Sequence, residues 1–341
     1  MDLFQPVVPV DKQHDIFRML MHPAHGPERA VIQGWAAGFL DRDGKFVKEF
    51  QTTFQSSFWE LYMHAVLKDM GMSLDYSFHA PDFVVIAPTP FVMEATIASP
   101  PDGGAPAYGL RKPAISDDFG EFNRQAILRL CNSFTSKVRK YRQHYATLAH
   151  VRDRPYVIAI APFDRPQAHF AANRPIMATL YGIYFDEDAT IAAQAENVIM
   201  RHIEAVTKND NANVPVGMFS DETYKDVSAV VYGPLATWGK VRALADAPER
   251  NIEFTTFHPS NAPGLKPDVR TTMKAGYAEH LLDGLYVFHN PYAEQPLPAD
   301  VFDHDRLARY VVRPEGDLEE RCPDDLLLMR MLISKESTFR L

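Results

Sequence analysis

Short apolar runs bounded by prolines constrain the fold of this chain more than any other feature. Residues 82–87, Phe91–Ile97 and Tyr156–Ala161 are mostly apolar, and a turn with two prolines at 88–90 separates the first two runs. Apolar runs of this length between turn signals are typical of strands that are buried on both faces. The sequence therefore predicts a hairpin and a further strand within a sheet that is covered on both sides.

Periodic apolar residues predict helices between these strands. Apolar side chains recur at three- and four-residue spacing from residue 50 to residue 70, and Gly71 stands where a helix would end. Asp117 or Asp118 can cap a second long helix that reaches Tyr145. The alternation of helices and strands predicts an α/β fold with a central mixed sheet flanked by helices.

Weaker patterns predict the remaining elements. They give two short strands around an Asp-Gly turn at 41–45, a strand near 76–78, a loop at 99–116, a helix at 191–206, strands at 227–232 and 284–288, a short element at 277–282, and loops with a final helical segment near 325–332. We divide the chain into an N-terminal elaboration (1–49) whose period is unclear, a core (50–235) and a C-terminal elaboration packed on the core (236–341).

Composition excludes several classes of protein. The 341 residues are 46% hydrophobic and 23% charged, as in soluble globular proteins. Because the net charge is −9, nucleic acid can bind only at a local basic patch. Two distant cysteines cannot form a disulfide framework and indicate a reducing compartment. With no secretory signal pattern and no apolar run that could span a membrane, we expect a cytoplasmic protein that does not contact membranes.

Three carboxylates carry most of the chemical information. Glu60 lies on the first helix, Asp82 opens the first hairpin strand and Glu94 interrupts the second. Because a hairpin folds back on itself, Asp82 and Glu94 can approach each other. Two unpaired carboxylates would repel, whereas a hard cation such as Mg²⁺ takes carboxylate oxygens and shares its other positions with water and phosphate. The three residues therefore predict a divalent metal site.

Each carboxylate also has an ordinary explanation. A glutamate on a helix is usually solvated, an aspartate after proline often caps a turn, and a glutamate in a strand can mark an edge. The combination favours the metal site, because an unpaired carboxylate buried in an apolar strand is costly. No phosphate-binding loop or dinucleotide motif is present, so a nucleotide-dependent enzyme is unsupported.

The motifs at residues 58–62 (Phe-Trp-Glu-Leu-Tyr), 81–82 (Pro-Asp) and 94–96 (Glu-Ala-Thr) resemble those of the PD-(D/E)xK nuclease superfamily. The resemblance covers residues 50–165. It implies a restriction endonuclease-like core in which Glu60, Asp82 and Glu94 bind one or two Mg²⁺ or Mn²⁺ ions, and it implies that these residues are catalytic.

The resemblance departs from the family pattern at one position. The family has a lysine two residues after the glutamate, where this chain has Thr96. In some members the lysine lies on the following helix, and Lys137 resembles that arrangement, with Tyr141 one turn later to orient it. Lys140 is the second choice, on a different azimuth of the helix. The resemblance thus implies catalytic roles for Lys137 and Tyr141.

A basic segment accompanies these motifs. Between residues 129 and 154 the chain has seven arginines and lysines against one aspartate, with aromatic residues interleaved. This composition is typical of phosphate contacts with occasional base stacking. The residues expected to contact nucleic acid are Arg129, Lys137, Arg139, Lys140 and Arg142. The alternative is a solvated helix face.

Together these features predict a metal-dependent endonuclease that acts on DNA more readily than on RNA. The resemblance to restriction-like enzymes also implies a role in bacterial defence or DNA processing. Cleavage of both strands would favour a homodimer, and an activating partner protein is a further expectation. The alternative is a nuclease-like domain that has lost catalysis, as Thr96 would indicate, and that binds nucleic acid or another protein. A glycoside hydrolase rests on Glu60 and Glu94 alone.

Overall fold

A computed structural model describes residues 1–105, 107, 118–209, 212–260, 266–313 and 316–334. The α-helices in these ranges are α1 (Asp15–Leu20), α2 (Gly26–Trp35), α3 (Phe46–Thr52), α4 (Gln55–Asp69), α5 (Phe119–Lys140), α6 (Arg174–Tyr181), α7 (Glu187–Ala192) and α8 (Trp238–Leu244), and a π-helical turn (Tyr141–Tyr145) continues α5. The strands are β1 (Ser73–Leu74), β2 (Phe83–Ala87), β3 (Phe91–Ile97), β4 (Tyr156–Ala161), β5 (Ile183–Asp186), β6 (Ile199–His202), β7 (Ala205–Asn209), β8 (Ala212–Pro215), β9 (Ala229–Tyr232), β10 (Ile252–His258), β11 (Asp268–Met273), β12 (Tyr286–His289), β13 (Ala308–Val312), β14 (Leu318–Arg321) and β15 (Met329–Ser334).

A mixed sheet of eight strands lies at the centre, in the order β1-β2-β3-β4-β9-β12-β13-β14. Strands β3, β4 and β9 run parallel, and β2 and β12 run antiparallel to their neighbours β3 and β9. Residues 236–341, expected as an elaboration, contribute three strands to this sheet. The remaining sheets are smaller: β11-β10-β15 and the hairpins β5-β6 and β7-β8.

Helices cover both faces of the central sheet, as the apolar runs predict. Along β4, Val157, Ala159 and Ala161 pack into a core with α1–α4, whereas Ile158 and Ile160 pack into a second core with α5 and α6. Because successive side chains of a strand point to opposite faces, a strand between two helical layers is apolar at every position. Within the described ranges, no helix is long and apolar enough to cross a membrane.

The long predicted helices are confirmed. α4 ends before Gly71, which has φ +71° and so terminates the helix as a glycine in the left-handed region does. α5 is capped by Asp118, whose side chain accepts a hydrogen bond from the N–H of Glu121. The expected loop at 99–116 lacks helix and strand at 99–105 and 107, and its other residues lie outside the described ranges.

The predicted hairpin at 41–45 is wrong. Gly44 has the positive φ that an Asp-Gly turn requires, at +71°, but the turn leads into α3. The carboxylates of Asp41 and Asp43 accept hydrogen bonds from the N–H groups of Phe46 and Lys45. These bonds satisfy amide donors where the helix begins, so the residues after the turn become helical.

The predicted helix at 191–206 is also wrong, because the chain there forms the end of α7 followed by β6 and the start of β7. Ile191 and Met200 are 73% and 62% exposed, so these two residues do not pack on a core, although Val206 at the end of the segment does. Strand β6 instead pairs with β5, and this ladder satisfies the backbone of both segments.

Three further predictions of secondary structure are also wrong. Residues 325–332 form no helix, since β15 begins at Met329 and pairs with β10. Residues 277–282 contain neither helix nor strand, and the strand expected at 76–78 lies instead at Ser73–Leu74.

Candidate active site

The β2-β3 hairpin brings Asp82 and Glu94 together. Asp82 directly precedes β2, and its Oδ2 accepts a hydrogen bond of 2.8 Å from the N–H of Ala95 on β3. Phe83 pairs with Met93, so Asp82 lies beside the strand segment that carries Glu94. Burial, followed by the negative charge of the nearby Glu94, raises the pKa of Asp82.

Glu94 is paired with two lysines from α5. Its Oε1 accepts hydrogen bonds from Lys137 Nζ at 2.7 Å and from Lys140 Nζ at 2.8 Å. Glu94 is 1% exposed, whereas the side chains of Lys137 and Lys140 are 20% and 45% exposed. Lys140 was expected on a different azimuth, but positions three apart on a helix are neighbours, so both ammonium groups reach one oxygen.

Burial and the charges of this cluster together shift the pKa values of all three carboxylates. Burial favours the protonated form of Glu94, but the two ammonium groups outweigh burial and hold its pKa below the usual value. Burial and the negative charge of Glu94 raise the pKa of Asp82 to about 7. Burial and the charge of Asp82 raise the pKa of Glu60 well above the usual value. Without a cation, Glu60 and Asp82 therefore tend to retain protons.

Arg42 is a residue of this site that the sequence did not reveal. Its guanidinium donates to the backbone carbonyls of Phe78 at 2.6 Å, Pro81 at 3.2 Å and Asp82 at 3.0 Å. Its charge also opposes the upward shift in the pKa of Glu60. Arg42 thus fixes the loop that carries Asp82. A lone arginine in a turn belongs to no motif, so its partners can be identified only in three dimensions.

Two tyrosines line the same cluster. Burial followed by the charge of Glu94 raises the pKa of Tyr145 to about 12, and Lys140 Nζ lies 5.1 Å from the centroid of its ring. Burial raises the pKa of Tyr76 to about 12; the charge of Glu60 adds to this rise, and the charge of Arg42 opposes it. The hydroxyl of Tyr76 is buried and lacks a hydrogen-bond partner among the described residues.

Tyr141 lies one turn after Lys137, and its ring stacks on Tyr156 with a centroid distance of 4.3 Å. The hydroxyl of Tyr156 contacts the backbone carbonyl of Lys137 at 3.5 Å. Tyr141 therefore packs behind the lysine turn, and an orienting role for its hydroxyl stays a prediction.

The basic segment is partly neutralised by acids from elsewhere in the chain. Lys137 and Lys140 face Glu94, and Arg142 Nε donates to Asp226 Oδ2 at 2.7 Å. Arg139 is exposed, and Arg129 is partly buried. The local positive charge is consequently smaller than residues 129–154 alone indicate, and nucleic-acid contacts of these five residues stay a prediction.

The carboxylates of this cluster offer oxygen ligands of the kind that a divalent cation prefers. Within the described ranges, no three histidine, cysteine or carboxylate side chains lie close enough together to hold a metal ion. However, Glu94 Oε2 is buried and has no hydrogen-bond partner among the described residues. A buried carboxylate oxygen without a donor is an acceptor that a hard cation can satisfy. Asp82 and Glu94 therefore fit Mg²⁺ or Mn²⁺ as a pair, and Glu60 does not complete a three-ligand group as the side chains stand.

Comparisons with protein-family models, with curated proteins and with solved structures give no match to this chain. The PD-(D/E)xK resemblance accordingly stays a prediction.

Proposed function

We propose that this chain is a metal-dependent nuclease of the PD-(D/E)xK type that cleaves DNA. One observation carries the proposal: buried Glu94 lies beside Asp82 and is paired with two lysines of the following helix. Carboxylates suit a divalent cation, and ammonium groups suit phosphate oxygens. A cluster with both can hold a cation and a phosphodiester at the same place.

The order of elements supports a restriction endonuclease-like core. Helix α4, which carries Glu60, packs against β3, and the β2-β3 hairpin carries the other two carboxylates. Helix α5 then connects β3 to the parallel strand β4. This order of a helix, a hairpin and a crossover helix is compatible with the PD-(D/E)xK pattern and supports the proposal.

Asp82 and Glu94 would hold the cation, with Glu60 joining them after a side-chain movement. A bound Mg²⁺ or Mn²⁺ supplies a water of lowered pKa for attack on phosphorus. Lys137 and Lys140 would donate hydrogen bonds to the non-bridging phosphate oxygens and stabilise the negative charge that develops there. They would thereby supply the positive charge that Thr96 cannot.

Cleavage assays test this proposal. The full-length protein is incubated with plasmid, linear and single-stranded DNA and with RNA, in Mg²⁺, Mn²⁺ or EDTA. We expect cleavage of DNA that requires metal and that falls at least about a hundredfold in Asp82→Asn and Glu94→Gln.

The matched control is Asp69→Asn, at the end of the helix that carries Glu60, where the carboxylate is 38% exposed and faces His280. This variant should cleave like the wild-type protein. Absence of cleavage across the panel, or equal cleavage by Asp82→Asn, would overturn the proposal.

A second candidate is a nuclease-like subunit that binds nucleic acid without cleaving it. It is favoured by the charges already present, because Lys137 and Lys140 neutralise Glu94 and the protonated forms of Glu60 and Asp82 carry no charge. Such a cluster needs no metal to offset negative charge. Salt-dependent binding of duplex DNA without turnover, unchanged in Asp82→Asn, would support this candidate.

A further inference from the structure

Lys137 and Lys140, which are paired with Glu94, lie where they can affect the binding of both the divalent cation and the phosphodiester of the proposed nuclease. Both Nζ atoms lie within 2.8 Å of Glu94 Oε1, so two positive charges stand beside a carboxylate proposed to bind a divalent cation. Like charges this close repel strongly where water is scarce. In the free protein, the lysines therefore oppose entry of the cation.

The two lysines are more exposed to solvent than Glu94. Glu94 projects from the middle of a central strand and is 1% exposed. The side chain of Lys140 is 45% exposed and that of Lys137 is 20% exposed, and each ammonium group ends a flexible stem with rotatable donors. An anion that approaches the cluster from solvent can thus form ion pairs with the lysines in place of Glu94.

Resting on the proposed function, we propose that Lys137 and Lys140 couple the binding of the metal to the binding of the phosphodiester. In the free protein they hold Glu94. When a phosphodiester binds, they turn to its oxygens, and Glu94 becomes available to the cation. Because a coupling free energy between two ligands is reciprocal, the cation raises affinity for the phosphodiester by the same factor.

Calorimetry with Ca²⁺ as the probe tests the coupling in the full-length protein. Titrations are run without nucleic acid, with a short DNA duplex, and with a duplex of the same sequence whose backbone carries uncharged methylphosphonates. We expect the Kd for Ca²⁺ to fall about tenfold with the charged duplex, within the usual range of coupling between sites, and not to change with the uncharged one.

The variant Lys140→Met isolates the contribution of the lysine. Without nucleic acid, it should bind Ca²⁺ several-fold more tightly than the wild-type protein, since one opposing charge is gone. Its response to the charged duplex should also be smaller. Lys137→Met should act in the same direction, so the test does not depend on one variant. The matched control is Lys225→Met, because Lys225 is 49% exposed and is paired with Glu294, at 3.6 Å.

Several outcomes would overturn the coupling: equal Ca²⁺ affinity with and without the charged duplex, unchanged Ca²⁺ affinity in both lysine variants, or no Ca²⁺ binding in any mixture. These outcomes are separable from those of the cleavage assay. Metal-dependent cleavage without coupling would reject only the coupling, and coupling without cleavage would reject only the nuclease.

Discussion

Glu94 is a buried carboxylate whose charge is balanced by side chains from another element. The apolar run around it predicts burial, and a buried carboxylate requires a partner. The identity of the partner is less predictable. Lys137 follows from the family pattern, but the equal role of Lys140 depends on how α5 crosses β3, which no local pattern encodes.

Removal of the Glu94 charge should destabilise the fold. In Glu94→Gln, the two lysines lose their partner while remaining partly shielded from water. We expect the free energy of unfolding in urea to fall by about 2 kcal/mol, below the value for a fully buried pair because both lysines reach solvent. The control Glu294→Gln removes an exposed pair and should change it by less than about 0.5 kcal/mol. Equal losses in the two variants would contradict this prediction.

Asp82 should make stability depend on pH. Its pKa is about 7 in the folded protein, above the value of about 3.9 in an unfolded chain. A raised pKa of an acid means that its stabilising contribution is fully present below about pH 4 and is lost as the pH rises through about 7.

Asp82→Asn keeps the hydrogen bond to Ala95 and cannot ionise. In EDTA, the melting temperature of this variant relative to that of the wild-type protein should therefore rise by about 6 °C between about pH 4 and pH 8. A difference that stays constant over this range would show that Asp82 titrates normally.

At the scale of elements, the sequence predicts the helices and strands that are buried in the two main cores. It fails for short segments that lie mostly at the surface. Strands β2, β3 and β4 and helices α4 and α5 were all predicted, because their apolar patterns are dictated by the cores they fill. The short hairpin strands expose most of their residues, so their pairing leaves little trace in sequence. Helix α1 is capped by His14, whose side chain accepts a hydrogen bond from the N–H of Ile16, and the turn before α2 is capped by His22, which accepts from the N–H of Ala24. Histidine is not among the usual cap residues, so these helix starts give no clear signal in the sequence.

The loop that carries Asp82 should depend on Arg42. Its guanidinium joins three carbonyls of residues 78–82, and lysine cannot present donors in that planar arrangement. We expect Arg42→Lys to lower the free energy of unfolding by about 1–2 kcal/mol and to speed amide exchange at 78–83. Arg152→Lys, at an exposed position, is the control. Unchanged exchange in this loop would show that it is held by other contacts.

At the scale of the whole molecule, the central sheet joins distant parts of the chain. Strand β9 lies between β4 and β12, and β12 begins fifty-four residues after β9 ends, where Tyr286 pairs with Tyr232 in register. The three-stranded sheet is attached through a buried network in which Glu279 contacts Lys240 at 2.5 Å and also contacts Arg330. The C-terminal third thus takes part in the same core as the candidate site.

A chain that ends at residue 235 should therefore fail to fold. It would lack β12, which covers the fully buried edge of β9, and burial of Tyr286, Val287 and Phe288 would be lost. We expect this fragment to show no cooperative unfolding transition and to aggregate through the unpaired edge. The full-length chain is the control. A cooperative transition in the fragment would instead define residues 1–235 as an independent domain.

The convergence of Lys137 and Lys140 on one oxygen has an evolutionary consequence. Loss of either lysine by mutation leaves the other ion pair with Glu94 in place. The position of the lysine on α5 can therefore change by single substitutions, because at each step at least one lysine still pairs with Glu94. The cluster therefore tolerates the loss of one lysine, whereas the loss of Glu94 leaves both lysines without this partner.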